Sequence, residues 1–108
     1  MARRLSRGDI HLVRFPSPDK ERPALILTRD AVLPALTRIM VAPITSTIRG
    51  IPGELLLTAD DGMKQVCAVN LFSVTTVARA SIGRHLLTLN EFRMAEICGA
   101  LAFALGCD

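Results

Sequence analysis

Turn formers cut the first two thirds of this chain into short pieces. Gly8-Asp9, the run Pro16-Ser17-Pro18-Asp19-Lys20-Glu21, the turn Arg49 to Gly53 and Ala59-Asp60-Asp61-Gly62 each interrupt any regular element. The pieces between them are of strand length and rich in Leu, Ile and Val: Ile10 to Phe15, Ala24 to Thr28, Arg38 to Ile44 and Glu54 to Thr58. Ala24 to Thr28 is apolar on both faces, which predicts a central strand opened by Pro23. Arg29 to Arg38 reads as a loop with a helical turn. Pro43 predicts a bulge or an edge that lifts Thr45 and Ser46 out of the ladder. Gln65 to Leu71 and Ser73 to Val77 are strand-like with a bend near Asn70 to Ser73, and Ile82 to Leu87 adds one more short strand. Five or six closely spaced strands predict a small curled antiparallel sheet or barrel.

The pattern changes once, at Asn90. Met94, Ile97, Cys98, Leu101, Ala104 and Leu105 recur at helical spacing, Asn90 is a good N-cap and Gly106 supplies the stop. The fold class is therefore mainly β with a C-terminal helix, α+β, in one domain spanning residues 1–108. A second apolar stripe, Phe92, Gly99 and Phe103, lies on the other side of the helix, and no charge appears between Glu96 and Asp108. A surface helix of a monomer has a polar back, so this face predicts self-association.

The core must be aliphatic, because the chain has no Trp or Tyr and four Phe. That argues against an aromatic cage or a proline-recognition groove. A net charge of +3 fits weak attraction to a polyanion and equally fits ordinary solvation. Cys67, Cys98 and Cys107 are odd in number and far from His11 and His85, so neither a zinc site nor a disulfide framework is expected. Cys67 and Cys98 read as buried thiols in a reducing cytoplasm. The basic N-terminus lacks an apolar signal-peptide core, and the run near Ile97 to Cys107 is too short to span a bilayer. A soluble, cytoplasmic protein without a membrane partner is the expectation.

Few residues are left for chemistry. There is no G-x-S-x-G elbow, no phosphate-binding glycine loop and no metal-ligand spacing, so neither metal nor cofactor is expected. Arginines, hydroxyls and a few loop carboxylates remain. That set suits RNA cleavage by the substrate's own 2′-hydroxyl, which needs no protein nucleophile, only charge stabilisation at phosphorus and proton transfer. An arginine fork grips phosphate oxygens, and a hydroxyl donates where charge develops.

Arg7-Gly8-Asp9-Ile10, then Arg22-Pro23-Ala24-Leu25-Ile26-Leu27-Thr28, then Val41-Ala42-Pro43-Ile44-Thr45-Ser46, then Gly62-Met63 before a strand and a terminal Leu/Gly-containing helix, resemble the MazF/PemK family of toxin endoribonucleases across nearly the whole chain. The resemblance implies an SH3-like or CcdB-like barrel and a cytoplasmic homodimer. It implies metal-independent, sequence-specific cutting of single-stranded RNA to a 2′,3′-cyclic phosphate and a 5′-hydroxyl. It also implies a MazE-like antitoxin whose acidic segment occupies the RNA groove.

By position, Arg22 is the family's catalytic arginine and Thr45 its catalytic threonine. Ser17, Lys20, Ser46, Thr47, Arg49 and Ser73 are the expected RNA contacts; Ser73 stands where relatives commonly carry Gln or Asn. The loop before Arg22 is shorter than is usual in the family, which leaves the general base open between Asp19, Glu21 and neither. The alternative reading is a CcdB-like toxin that binds and poisons DNA gyrase without catalysis. A regulatory RNA binder without activity is a third.

Overall fold

The computed structural model describes residues 4–16 and 20–108. Among these, seven strands precede one helix: β1 (Asp9–Arg14), β2 (Glu21–Ile26), β3 (Arg38–Thr45), β4 (Glu54–Leu57), β5 (Cys67–Asn70), β6 (Thr75–Ala78), β7 (Ile82–Thr88) and α1 (Glu91–Leu105). The strands pair antiparallel in the order β4-β5-β3-β2-β1-β7, with β6 also on β3. β4 and β7 end up at opposite edges, so the sheet does not close and the barrel description holds only loosely. The expected count of five or six strands was low. β5 and β6 run along the same edge of β3, Thr45↔Ala68 and Ile44↔Val69 first, then Val41↔Thr75 to Arg38↔Ala78. A single 3-10 turn, Leu71–Ser73, divides them where the bend was predicted, and Asn70 caps it by accepting the Phe72 N–H.

Two prolines in adjacent strands shape the site, though not by a bulge. Met40 turns its N–H to Thr28 Oγ1 and its carbonyl to the Leu27 N–H, so by the two-residue alternation Pro43 faces the opposite edge. There the ladder is passing from β6 to β5, and its missing donor leaves no gap in pairing. Thr45 therefore stays in the ladder, contrary to expectation, and only Ser46 leaves it. Pro23 is different. Ile26 gives its carbonyl to the Gly8 N–H on the β1 side, so Pro23 faces β3, and the β2–β3 ladder ends at Ala24↔Pro43. Beyond that pair the strands are free to part.

The sheet buries two aliphatic clusters, one on each face. Ile10, Leu25, Ala42, Ile44, Leu57, Val69 and Leu71 pack with Met94, Ile97 and Ala100 of α1. Val13, Ala24, Ile26, Ile39, Val41 and Val77 close over Leu33 of the β2–β3 loop, whose helical turn is Leu33–Ala35. Burying these aliphatic side chains on both faces supplies the main folding drive.

α1 begins at Asn90, which accepts the Arg93 N–H at 2.9 Å, and ends at Gly106 with φ 74°. Arg93 binds Asp61 at 2.9 Å and Glu96 at 2.8 Å and also reaches the Leu56 carbonyl, tying the helix to the segment after β4. Cys98 and Leu105 depart from the predicted stripe: both are exposed, and Cys98 Sγ accepts from Arg7 at 3.0 Å. Each follows a covered position, Ile97 and Ala104, by one residue, about 100° round the helix, and so falls on the uncovered flank, while Leu101 and Ala104 still pack on the core. Phe92 remains 85 % exposed, Phe103 meets Phe72 edge-on, and nothing approaches Gly99.

Candidate active site

The two strands part at the rim that carries the predicted pair. Carried two residues past Ala24↔Pro43, the antiparallel register sets Arg22 across from Thr45. Both side chains are half-buried at the strand ends, where the two faces of the sheet meet. Thr45 Oγ1 accepts the Thr47 N–H at 3.0 Å, which orients the hydroxyl and leaves its hydrogen to donate outward.

Two cavities adjoin there, and Arg22, Thr45 and Thr47 line both. The larger, about 650 Å³, has a floor of Leu12, Ile44, Cys67, Leu86 and Leu87 and a rim carrying Lys64 and Arg84. The smaller, about 370 Å³, is walled by Phe15, Pro43, Arg49, Asn70, Ser73 and Thr75. No carboxylate lines either cavity among the described residues, while four basic side chains do. Such a groove attracts a polyanion and presents the arginine forks that phosphate oxygens accept.

The predicted contacts divide. Thr47 lines both cavities, Ser46 the larger, Arg49 and Ser73 the smaller. Glu54 organises the Arg49 turn: one carboxylate oxygen accepts the N–H of Arg49 at 2.9 Å and of Gly50 at 3.1 Å. The Phe72 ring lies over Gly53, where a Cβ would stand 2.1 Å from it and displace it. Lys20 lines neither cavity; it takes a left-handed φ of 56°, and its carbonyl accepts the Phe15 N–H. Glu21, one of the two carboxylates considered as base, also lines neither. Ser17 and Asp19 lie outside the described residues.

Among the lining residues that escaped the sequence reading are Lys64, Arg84, Asn70 and Cys67. Arg84 was legible in principle, since alternation along β7 places it with Leu86 on the face that Leu12 of β1 shares. Lys64, after a glycine turn, carried no local signal. Burial, with the Asp61 carboxylate behind it, pushes the Cys67 thiol up, so it stays protonated and is no nucleophile. His11 is packed, as expected for a strand residue, at 2.9 Å from the Gly83 carbonyl beside buried Asp9 and outside both cavities. No three His, Cys, Asp or Glu among the described residues gather so as to hold a metal ion.

Residues 6–105 match the family of PemK-like, MazF-like toxins of type II toxin-antitoxin systems. A probable endoribonuclease MazF5 of Mycobacterium tuberculosis is 44% identical over 88 residues, 81% of each chain. The solved structure of the Mycobacterium tuberculosis toxin MazF-mt6 superposes with a TM-score of 0.85 at 35% identity, covering 93% of this chain and 98% of that one. A MazE-MazF structure from Deinococcus radiodurans superposes with a TM-score of 0.79 at 25% identity over 99% of this chain and 100% of that one. With the match running from before β1 to the end of α1, and with Arg22 and Thr45 brought to one rim, the chain belongs to the PemK-like, MazF-like toxins of type II toxin-antitoxin systems.

Proposed function

We infer that the chain is an endoribonuclease toxin that cuts single-stranded RNA at the rim between β2 and β3. The observation that carries this reading is the convergence of Arg22 and Thr45, from neighbouring strands, on the wall shared by two basic cavities. A binding module has no need of that pairing, and the relatives bear endoribonuclease names. Both points favour cleavage over a gyrase poison of the CcdB kind.

In the reaction, the 2′-hydroxyl loses its proton and its oxygen bonds to the adjacent phosphorus. The P–O5′ bond breaks, and the leaving oxygen takes up a proton. The products are a 2′,3′-cyclic phosphate and a 5′-hydroxyl. Arg22 holds the non-bridging oxygens, whose charge grows in the transition state, and Thr45 donates its outward hydrogen to the oxygen where charge collects. Arg49, Lys64 and Arg84 hold flanking phosphates, and Ser46, Thr47 and Ser73 line the path of the strand. No metal takes part in this scheme.

The same reading makes the chain a cytoplasmic homodimer, joined through Phe92, Gly99 and Phe103, and held inactive by a MazE-like antitoxin whose acidic segment fills the basic groove. No helix among the described residues is long and apolar enough to cross a membrane.

Purified protein is expected to cut single-stranded RNA in EDTA, leaving 5′-hydroxyl ends. RNAs of varied sequence that stay intact would overturn the enzyme reading. In sedimentation at micromolar concentration the chain is expected to run as a dimer, and a monomer there refutes the helix interface.

A further inference from the structure

The smaller cavity contains a polar pair whose orientation is settled by its own hydrogen bonds. Asn70 Oδ1 accepts the Phe72 N–H at 3.0 Å. An amide N–H can only donate, so the side-chain oxygen must lie on that side and the Asn70 amide cannot be flipped. Nδ2 consequently faces Ser73, donating to its Oγ at 3.0 Å. Each group then keeps one hydrogen: the second N–H of Asn70 and the O–H of Ser73. Both belong to side chains that line the cavity, and they stand close enough to meet two acceptors on one base edge.

The rest of the wall agrees with that polarity. Arg49 adds donors, no carboxylate lines the cavity among the described residues, and the Phe15 ring offers a face on which a base can stack. Adenine sets a donor beside each acceptor of its pairing edges, and uracil separates its two carbonyls by an N–H. Guanine carries two neighbouring acceptors, N7 and O6, without a donor between them; cytosine offers N3 and O2 in the same way, but on a single ring that covers less of the Phe15 face than a purine does. The cavity also shares Arg22 and Thr45 with the proposed reaction centre, so a base in it belongs to a nucleotide next to the cut.

We propose that Asn70 and Ser73 form a two-donor reader that selects a guanine, by its N7 and O6, at one of the two positions flanking the scissile phosphate. This rests on the endoribonuclease reading. Asn70 determines specificity here; the cleavage chemistry stays with Arg22 and Thr45.

The test is cleavage of a randomised single-stranded RNA pool, followed by short RNAs carrying one defined site. Wild-type protein is expected to show guanine at one flanking position and to lose about tenfold or more in kcat/KM when that base is 7-deazaguanine, which lacks the N7 acceptor. Asn70→Asp keeps the oxygen that accepts the Phe72 N–H but replaces a donor with an acceptor. It is expected to move the preference at that position toward a base with an exocyclic amine, adenine or cytosine. Ser73→Ala is expected to weaken the guanine preference without moving it to another base. Full cutting of the 7-deaza substrate, a flanking preference other than guanine, or an Asn70→Asp protein with wild-type preferences overturns the reader. A folded wild-type protein that cuts no member of the pool overturns the enzyme reading instead, so the two failures are distinguishable.

Discussion

β3 is one strand with two fates. In its first half, Ile39 and Val41 are buried, Met40 gives its N–H to Thr28, and Arg38 spends its guanidinium on Thr76, at 3.1 Å to the hydroxyl and 2.8 Å to the carbonyl. In its second half, past Pro43, the partner strand β2 has stopped pairing and Thr45 opens on two cavities. Thr28 and Thr45 make the contrast plain. Both hydroxyls accept a backbone N–H, at 2.8 Å and 3.0 Å, yet Thr28 is buried at a ladder edge while Thr45 stands at a groove. The same residue type is buried structure at one end of β3 and, in the proposed reaction, a donor at the groove at the other end.

That contrast can be broken by substitution. Arg22→Ala or Thr45→Ala is expected to lower the cleavage rate by about a hundredfold to a thousandfold or more, the usual effect of removing a transition-state donor. The fold should survive both changes, with stability falling by no more than about 1–2 kcal/mol, as checked by urea unfolding. Ile39→Ala should do the reverse. Its cavity in a fully buried site costs about 2–5 kcal/mol, while the activity per folded molecule is retained.

Thr28→Ala leaves the Met40 N–H without its side-chain acceptor and should cost about 1–2 kcal/mol, with cleavage at wild-type rate in conditions where the protein is folded. A Thr28→Ala protein that loses activity while folded would erase the distinction between the two halves.

The smallest effect concerns Cys67, beneath the larger cavity. Its thiol is raised by burial and by Asp61, so the unfolded chain ionises first as pH climbs. The stability this neutral thiol contributes is complete below the ordinary value of 9.0 and is lost above it, as pH rises toward the folded pKa. Cys67→Ala should flatten that alkaline decline. In the native protein at pH 8, alkylation should reach exposed Cys98 and Cys107 before Cys67.

The local signals were legible because they act within a few residues. Asn90 and Gly106 mark the helix ends by capping alone, and the bend at Asn70 to Ser73 follows from one side chain bonding its own turn. Pro43 was misread because the cost of a missing N–H depends on which neighbour it faces. A single strand does not carry that information. Cys98 was misread for a related reason: helical spacing names a stripe, but only the packing against the sheet decides which flank of it is covered, and Cys98, one position past buried Ile97, lies on the open flank.

By itself the sequence determined the element types, the aliphatic core and the helix caps, which depend on spacing, capping or side-chain chemistry and are local properties. Arg22 and Thr45 became the residues to watch through the family resemblance that the sequence motifs carry. Tertiary structure alone decided that Pro23 ends a ladder, that Arg22 and Thr45 share a wall, and that Lys64, Arg84 and Asn70 join them from other strands and loops. These depend on which strand lies beside which, and contacts between distant segments are settled only when the sheet forms.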